Sequence, residues 1–165
     1  VSVTNIFEFL TTNSISYERY DHAAVFTCAQ SNALAGEIPG GRTKNLFLRN
    51  EKGDRHFLLI VADDKRADLK KIGAALGIKK LGFASPERLQ KYLGVEVGAV
   101  TALALINDRN HAVELLIDSD LWSAPSLHCH PLVNTTTLVI PQHDLRRFFD
   151  LTGHVASIIN IPVLT

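Results

Sequence analysis

Arg42-Thr43-Lys44-Asn45-Leu46-Phe47-Leu48 is the run from which the rest of the chain can be laid out. Leu46 and Leu48 alternate with Asn45 and Phe47, and the run ends apolar and aromatic, which predicts a strand. Ile38-Pro39-Gly40-Gly41 precedes it, a stiff turn followed by two permissive residues. Lys44 therefore falls where a flexible loop passes into a rigid strand. A cation fixed there can hold a phosphate or a ribose hydroxyl at constant height above a sheet. A solvated lysine at a strand entrance is the plainer reading of the same residue.

Working outward, Asn50 to Asp54 predicts a hairpin loop, and His56-Phe57-Leu58-Leu59-Ile60-Val61 the return strand, apolar enough to be buried on both faces. Upstream, Thr4 to Asn13 predicts an amphipathic helix with Ile6, Phe9 and Leu10 on one side. Ile15 to Tyr20 alternates like a half-exposed strand. Thr27-Cys28-Ala29-Gln30 reads as a capping box opening a helix that stops at Gly36; Cys28, in its first turn, is read as a packing residue. Downstream, Asp63 or Asp64 is expected to cap a helix through Leu69, Ile72, Ala75 and Leu76 that ends at Gly77. Leu81 to Ala84 is a short strand, and Ser85-Pro86 opens a helix ending near Gly94.

The small residues Gly98, Ala99, Val100, Thr101 and Ala102 form a loop whose amides are open to a ligand. That loop is expected to lead into a strand at Leu103 to Ile106. Further strands are predicted at 112–117, 135–140 and 155–159, with a helix over 142–151. Strands joined by hairpins mix with strands separated by helices, which predicts an α+β domain with a mixed, curled sheet and flanking helices.

Length and composition narrow the classes. A chain of 165 residues is expected to make one domain, 1–165, with a full core. No apolar run approaches the ~20 residues that cross a bilayer. Val1-Ser2-Val3 leads into the first helical segment without a signal peptide, and Cys28 and Cys129 make no disulfide framework, so a cytoplasmic location is expected. Formal net charge is zero, which argues against a bulk polyanion binder. The distribution is uneven: residues 42–91 carry 13 of the 17 Lys and Arg but 6 of the 17 Asp and Glu. Such a split predicts one basic and one acidic side.

His128-Cys129-His130 has the look of a metal cluster. Alternation along a strand turns Cys129 away from the two histidines, however, and no second ligand group has zinc spacing, so no metal is expected. Pro131 bends the strand or marks it as an edge, which brings His130 and Asn134 to a loop mouth. No nucleophile elbow and no glycine-rich phosphate loop occurs. An enzyme built on this chain is expected to work by positioning and backbone polarisation.

Five stretches in order resemble one family: His22-Ala23-Ala24-Val25-Phe26-Thr27, Gly41 to Leu48, Gly98-Ala99-Val100-Thr101, Leu105-Ile106-Asn107-Asp108, and His130-Pro131-Leu132-Val133-Asn134. The chain resembles the YbaK/prolyl-tRNA-synthetase-associated editing domains, and among them the freestanding alanyl-tRNA(Pro) deacylases (ProXp-ala or PrdX). The resemblance implies a partial barrel and hydrolysis of the ester of a mischarged tRNA, without a cofactor. It implies as partners the acceptor end of tRNA(Pro) carrying a small amino acid, and prolyl-tRNA synthetase. Lys44 matches the family's essential lysine, taken to engage the terminal adenosine, with Asn45 beside it as a substrate contact. Gly98 to Ala102 match a loop contacting the substrate carbonyl, Ala102 standing where the family carries proline. His130 and Asn134 match a segment near the pocket. Two other readings are a deacylase for Cys-tRNA(Pro) or another small aminoacyl-tRNA, and a non-catalytic module that binds aminoacyl-tRNA or the synthetase.

Overall fold

The buried run His56–Ala62 (β3) is the middle strand of the larger sheet. A computed structural model describes residues 3–24 and 37–164; the capping box at Thr27 and Cys28 lie outside them. Thr43–Arg49 (β2) pairs antiparallel with β3, in a register that sets Lys44 opposite Val61 and Phe47 opposite Leu58. The hairpin closes through Asn50, whose side-chain oxygen accepts the amides of Asp54 and Arg55 at 3.1 Å. Val113–Asp118 (β5) joins β3 in parallel, Ala156–Ile159 (β8) joins β5 in parallel, and Gly82–Phe83 (β4) pairs with β2.

Alternation along β3 feeds two apolar clusters. Leu58 and Ile60 face one, with Phe47, Leu115 and Ile117; Phe57, Leu59 and Val61 face the other, with Leu48 and Ile72. Each fully buried aliphatic or aromatic side chain here stabilises the fold by about 1.5–3 kcal/mol. Leu69–Leu76 (α2) covers the second face. Its cap is Asp68, which accepts the amide of Lys71 at 3.1 Å, and neither Asp63 nor Asp64 as expected. Asp63 is drawn off by Arg42, Nε to Oδ2 at 2.9 Å. Pro86–Leu93 (α3) starts and ends as expected, with Ser85 Oγ accepting from Arg88 and Gly94 in the left-handed region.

Glu18–Asp21 (β1), Ser126–Cys129 (β6) and Thr136–Pro141 (β7) form a second sheet, in the order β1-β7-β6. The α+β class holds, and among the described residues the strands divide between two sheets that meet at a parallel bridge between Gly41 and Leu127, with no closed barrel. Val3–Thr12 (α1) and Gln142–Thr152 (α5) close the first core through Ile6, Leu10, Leu145 and Phe148.

The strand expected at Leu103 to Ile106 is instead a 3-10 helix, Ala102–Asn107. Thr101 caps it by accepting the amide of Leu103 at 3.2 Å, and Ala102 to Leu105 are all buried. A short, fully buried apolar run carries no periodicity that separates strand from helix. Ser119–Trp122 adds one short helix (α4) behind β5. No helix among the described residues is long and apolar enough to cross a membrane.

Candidate active site

The segment bearing Lys44 is clamped from both sides. Towards the smaller sheet, Gly41 N–H donates to Ser126 O at 2.8 Å, His128 N–H to Gly41 O at 2.9 Å, and Thr43 Oγ1 to His128 O at 2.9 Å. Towards the turn after β3, Asp63 N–H donates to Arg42 O at 3.2 Å and Arg42 Nε to Asp63. The glycines are required by the close approach to β6. Gly40 has φ +100°, and a Cβ there would lie 3.0 Å from Ser126 Oγ and Val139 Cγ1.

Lys44 is half-buried, and its ammonium donates to the carbonyl of Lys65. An ammonium carries three donors, so this bond orients the group and leaves others for a ligand. Lys65 in turn donates to Asp118 Oδ1 at 2.9 Å and Asp120 Oδ2 at 2.7 Å. Alternation puts Lys44 on the β2 face shared with Leu46 and Leu48, and Asn45 on the face shared with Phe47. The two neighbours thus address opposite sides of the strand.

Three histidines gather on the smaller sheet. His130 Nδ1 lies 3.1 Å from Thr136 O, so this nitrogen carries the proton and Nε2 the lone pair. His128 Nε2 lies 2.7 Å from Pro39 O, which fixes the opposite tautomer. His22 Nδ1 faces Ala23 O and its Nε2 faces Thr137 Oγ1, both at 2.9 Å. Burial pushes His130 below the usual imidazole range; its bond to Thr136 works against this, and the charges of His22 and His128 add to it. Burial likewise lowers His128, against the bonds to Pro39 and Ile38. Near neutral pH these two rings are polar, uncharged groups. Cys129 points into the core, and burial pushes its thiol up to about 12.

The small-residue loop meets this sheet at Asn134, whose Nδ2 lies 3.9 Å from where a Cβ on Gly98 would stand. Gly98 has φ +94°. Ala99 N–H is taken by Glu96 O at 3.0 Å. The amides of Val100, Thr101 and Ala102 meet no acceptor among the described residues. These are the groups able to receive a developing negative oxygen. Of the residues singled out in the sequence, Gly98 and Asn134 come together and His130 joins His22 and His128; Thr43 bonds the carbonyl of His128, while the Lys44 side chain lies on the other face of β2, against Lys65. Lys44 makes no bond to the 98–102 loop among the described residues. A separate cleft of about 450 Å³, lined by Phe9, Leu105, Ile106, Arg109 and Leu151, holds none of the candidate site residues.

Sequence reasoning passed over Lys65 and Asp118, which carry no local signature, and gave His22 and His128 no role. For His22 the signal was its place at the head of the first matching stretch. Several cations of the basic 42–91 segment are consumed in pairs, among them Arg42 with Asp63, Arg55 with Glu114, and Lys65 with Asp118. Lys70 and Lys71 on α2, and Lys79 after it, are exposed.

The aminoacyl-tRNA editing domain model matches residues 22–148. The prolyl-tRNA editing protein ProX of Acetoanaerobium sticklandii is 34% identical over 147 residues, covering 89% of this chain and 90% of that protein. Prolyl-tRNA synthetase associated domain-containing protein 1 of Danio rerio is 34% identical over 155 residues, covering 93% and 84%. A crystal structure described as a candidate trans-editing enzyme for prolyl tRNA synthetase superposes with a TM-score of 0.69 at 20% identity, covering 98% of this chain and 99% of that one; at that identity the likeness speaks for the fold.

Proposed function

Starting from a chain that belongs to the aminoacyl-tRNA editing domain family, a family of aminoacyl-tRNA deacylases, we propose that it hydrolyses mischarged tRNA(Pro) in trans, and that alanine is the amino acid it releases. The observation that carries this reading is the two-sided clamp on residues 41–44, which holds one ammonium at a strand entrance. In the proposed mechanism Lys44 takes the terminal phosphate or ribose. The Val100 and Thr101 amides take the charge that grows on the ester oxygen as water adds. His130 and Asn134 shape the pocket, His130 offering an uncharged ring. Asn45 and Gly98 to Ala102 contact the aminoacyl end. An aminoacyl ester is already activated, and the neighbouring ribose hydroxyl assists its hydrolysis, so no side-chain nucleophile is needed. The products are the free amino acid and tRNA. Prolyl-tRNA synthetase is the second partner, and the exposed lysines of α2 receive the acceptor stem.

The need for such an activity is physical. A pocket built for proline rejects a smaller side chain by only about 1–3 kcal/mol, and a second site that admits only small residues corrects the error. Parallel deacylation assays on Ala-, Ser- and Cys-charged tRNA(Pro) test the proposal. It expects Ala-tRNA(Pro) to be cleared fastest. Preferred clearance of Cys-tRNA(Pro) replaces the substrate, and binding without faster hydrolysis replaces catalysis by a binding role.

A further inference from the structure

Asp118 stands at the end of β5 with its side chain wholly buried, and its two oxygens take three donors. Oδ2 accepts the amide of Ala62 at 3.1 Å; Oδ1 accepts Lys65 Nζ at 2.9 Å and the amide of Asp120 at 3.0 Å. One carboxylate thus holds both ends of the turn from Ala62 to Lys65, which is closed by its own bond from Lys65 N–H to Ala62 O at 3.0 Å. The Lys65 carbonyl that leaves this turn is the acceptor for the Lys44 ammonium. Asp120 completes the arrangement on the solvent side, 2.7 Å from Lys65 Nζ.

Lys65 is matched by two carboxylates, which weakens the repulsion between its ammonium and that of Lys44 and its competition for an anion. Its side chain is 22% exposed, which leaves it desolvated enough for the pairing to matter. We infer that Lys65 is a positioning residue for Lys44, and that Asp118 is the anchor through which it acts. The inference rests on the reading of Lys44 as the group that binds the RNA end. On that reading, the pair decides where the cation stands rather than touching the substrate itself.

The test uses the full chain with Lys65→Met, Lys65→Arg and Lys44→Ala, read in two ways. The first is the rate at which an amine-reactive reagent labels Lys44, followed by mass spectrometry; it does not depend on any activity. Lys65→Met should speed that labelling several-fold, and Lys65→Arg should return it towards the wild-type rate. The second is single-turnover deacylation of Ala-tRNA(Pro). Lys65→Met should slow it by about ten- to a hundredfold, the scale of loss for a misplaced group. Lys65→Arg should recover most of that, and Lys65→Met should add nothing in a Lys44→Ala background. Asp118→Asn should follow Lys65→Met in both readouts, and Lys65→Met decides the matter if the buried substitution does not fold. Unchanged labelling of Lys44, or a loss that adds in full to that of Lys44→Ala, overturns the inference. Altered labelling with full activity in Lys44→Ala upholds the contact and overturns the functional reading beneath it.

Discussion

Asp108 Oδ2 and His154 Nε2 lie 2.8 Å apart, and both side chains are closed off from water. Asp108 also accepts the amides of Ala112 and Val113 at 2.9 and 2.8 Å, so one carboxylate closes the turn before β5 and ties down His154, two residues before β8. Burial raises its affinity for a proton, but the bonds from His154, Val113 and Ala112 outweigh this and leave the carboxyl below its usual range. Although Asp108 belongs to one of the stretches that carry the family resemblance, its bonds are those of a structural staple.

Asp108→Ala strands an imidazole and two amides in the interior. Each buried donor left without its acceptor costs about 1–3 kcal/mol. Urea denaturation should show that loss, and His154→Ala in the same background should add little because the two residues act as one unit. A change below about 1 kcal/mol would contradict the staple.

Acidification should weaken the fold through three histidines. His56, His128 and His130 are all lowered from 6.5, each chiefly by burial, with Arg88, Arg49 and Lys91 adding to the effect at His56. A folded-state value below the unfolded one means that the unfolded chain takes up the proton first as pH falls. Stability is therefore full above about pH 6.5 and declines below it, until the folded values are passed. Denaturation midpoints measured between about pH 7 and 5 should fall, and His130→Gln should flatten the slope.

Gly40→Ala should destabilise the loop over the smaller sheet. With φ at +100° and side chains 3.0 Å from the new methyl, the cost is about 1–3 kcal/mol. Deacylation should fall with it, because the same loop seats His128 and leads into Thr43. Thermal unfolding and activity measured on one sample check both.

Ala102→Pro should be tolerated. Thr101 is extended, with φ −154° and ψ 152°, the conformation that a following proline favours. Ala102 is the first residue of its helix, and its amide has no acceptor among the described residues, so proline removes no bond. Unfolding should be unchanged or improved by up to about 1 kcal/mol.

Elements with local instructions were legible. The β2–β3 hairpin announces itself by alternation and by Asn50 to Asp54, and α3 by Ser85, Pro86 and Gly94, each acting within a few residues. What failed needed distant partners. Asp63, Asp64 and Asp68 are equal as caps until Arg42 engages the first of them. The run at 103–106 is helical with Thr101 capping it and Leu103 to Leu105 buried in the core, partners that lie outside the run itself. The two sheets meet where Gly41 pairs with Leu127, and no pattern near either residue foretells that. At the candidate site the same divide holds. Lys44 could be singled out from its place between loop and strand, whereas Lys65 and Asp118 become visible only once β3 and β5 lie side by side.

The central claim is that an ammonium fixed at the entrance of β2 binds the acylated end of tRNA(Pro). The most direct measurement is the single-turnover hydrolysis rate of Ala-tRNA(Pro) by the wild-type chain and by Lys44→Ala, with thermal unfolding recorded on both. The account expects at least a hundredfold slower hydrolysis (about 2.7 kcal/mol of transition-state binding) at an unchanged unfolding midpoint. Wild-type hydrolysis by the folded variant would contradict it.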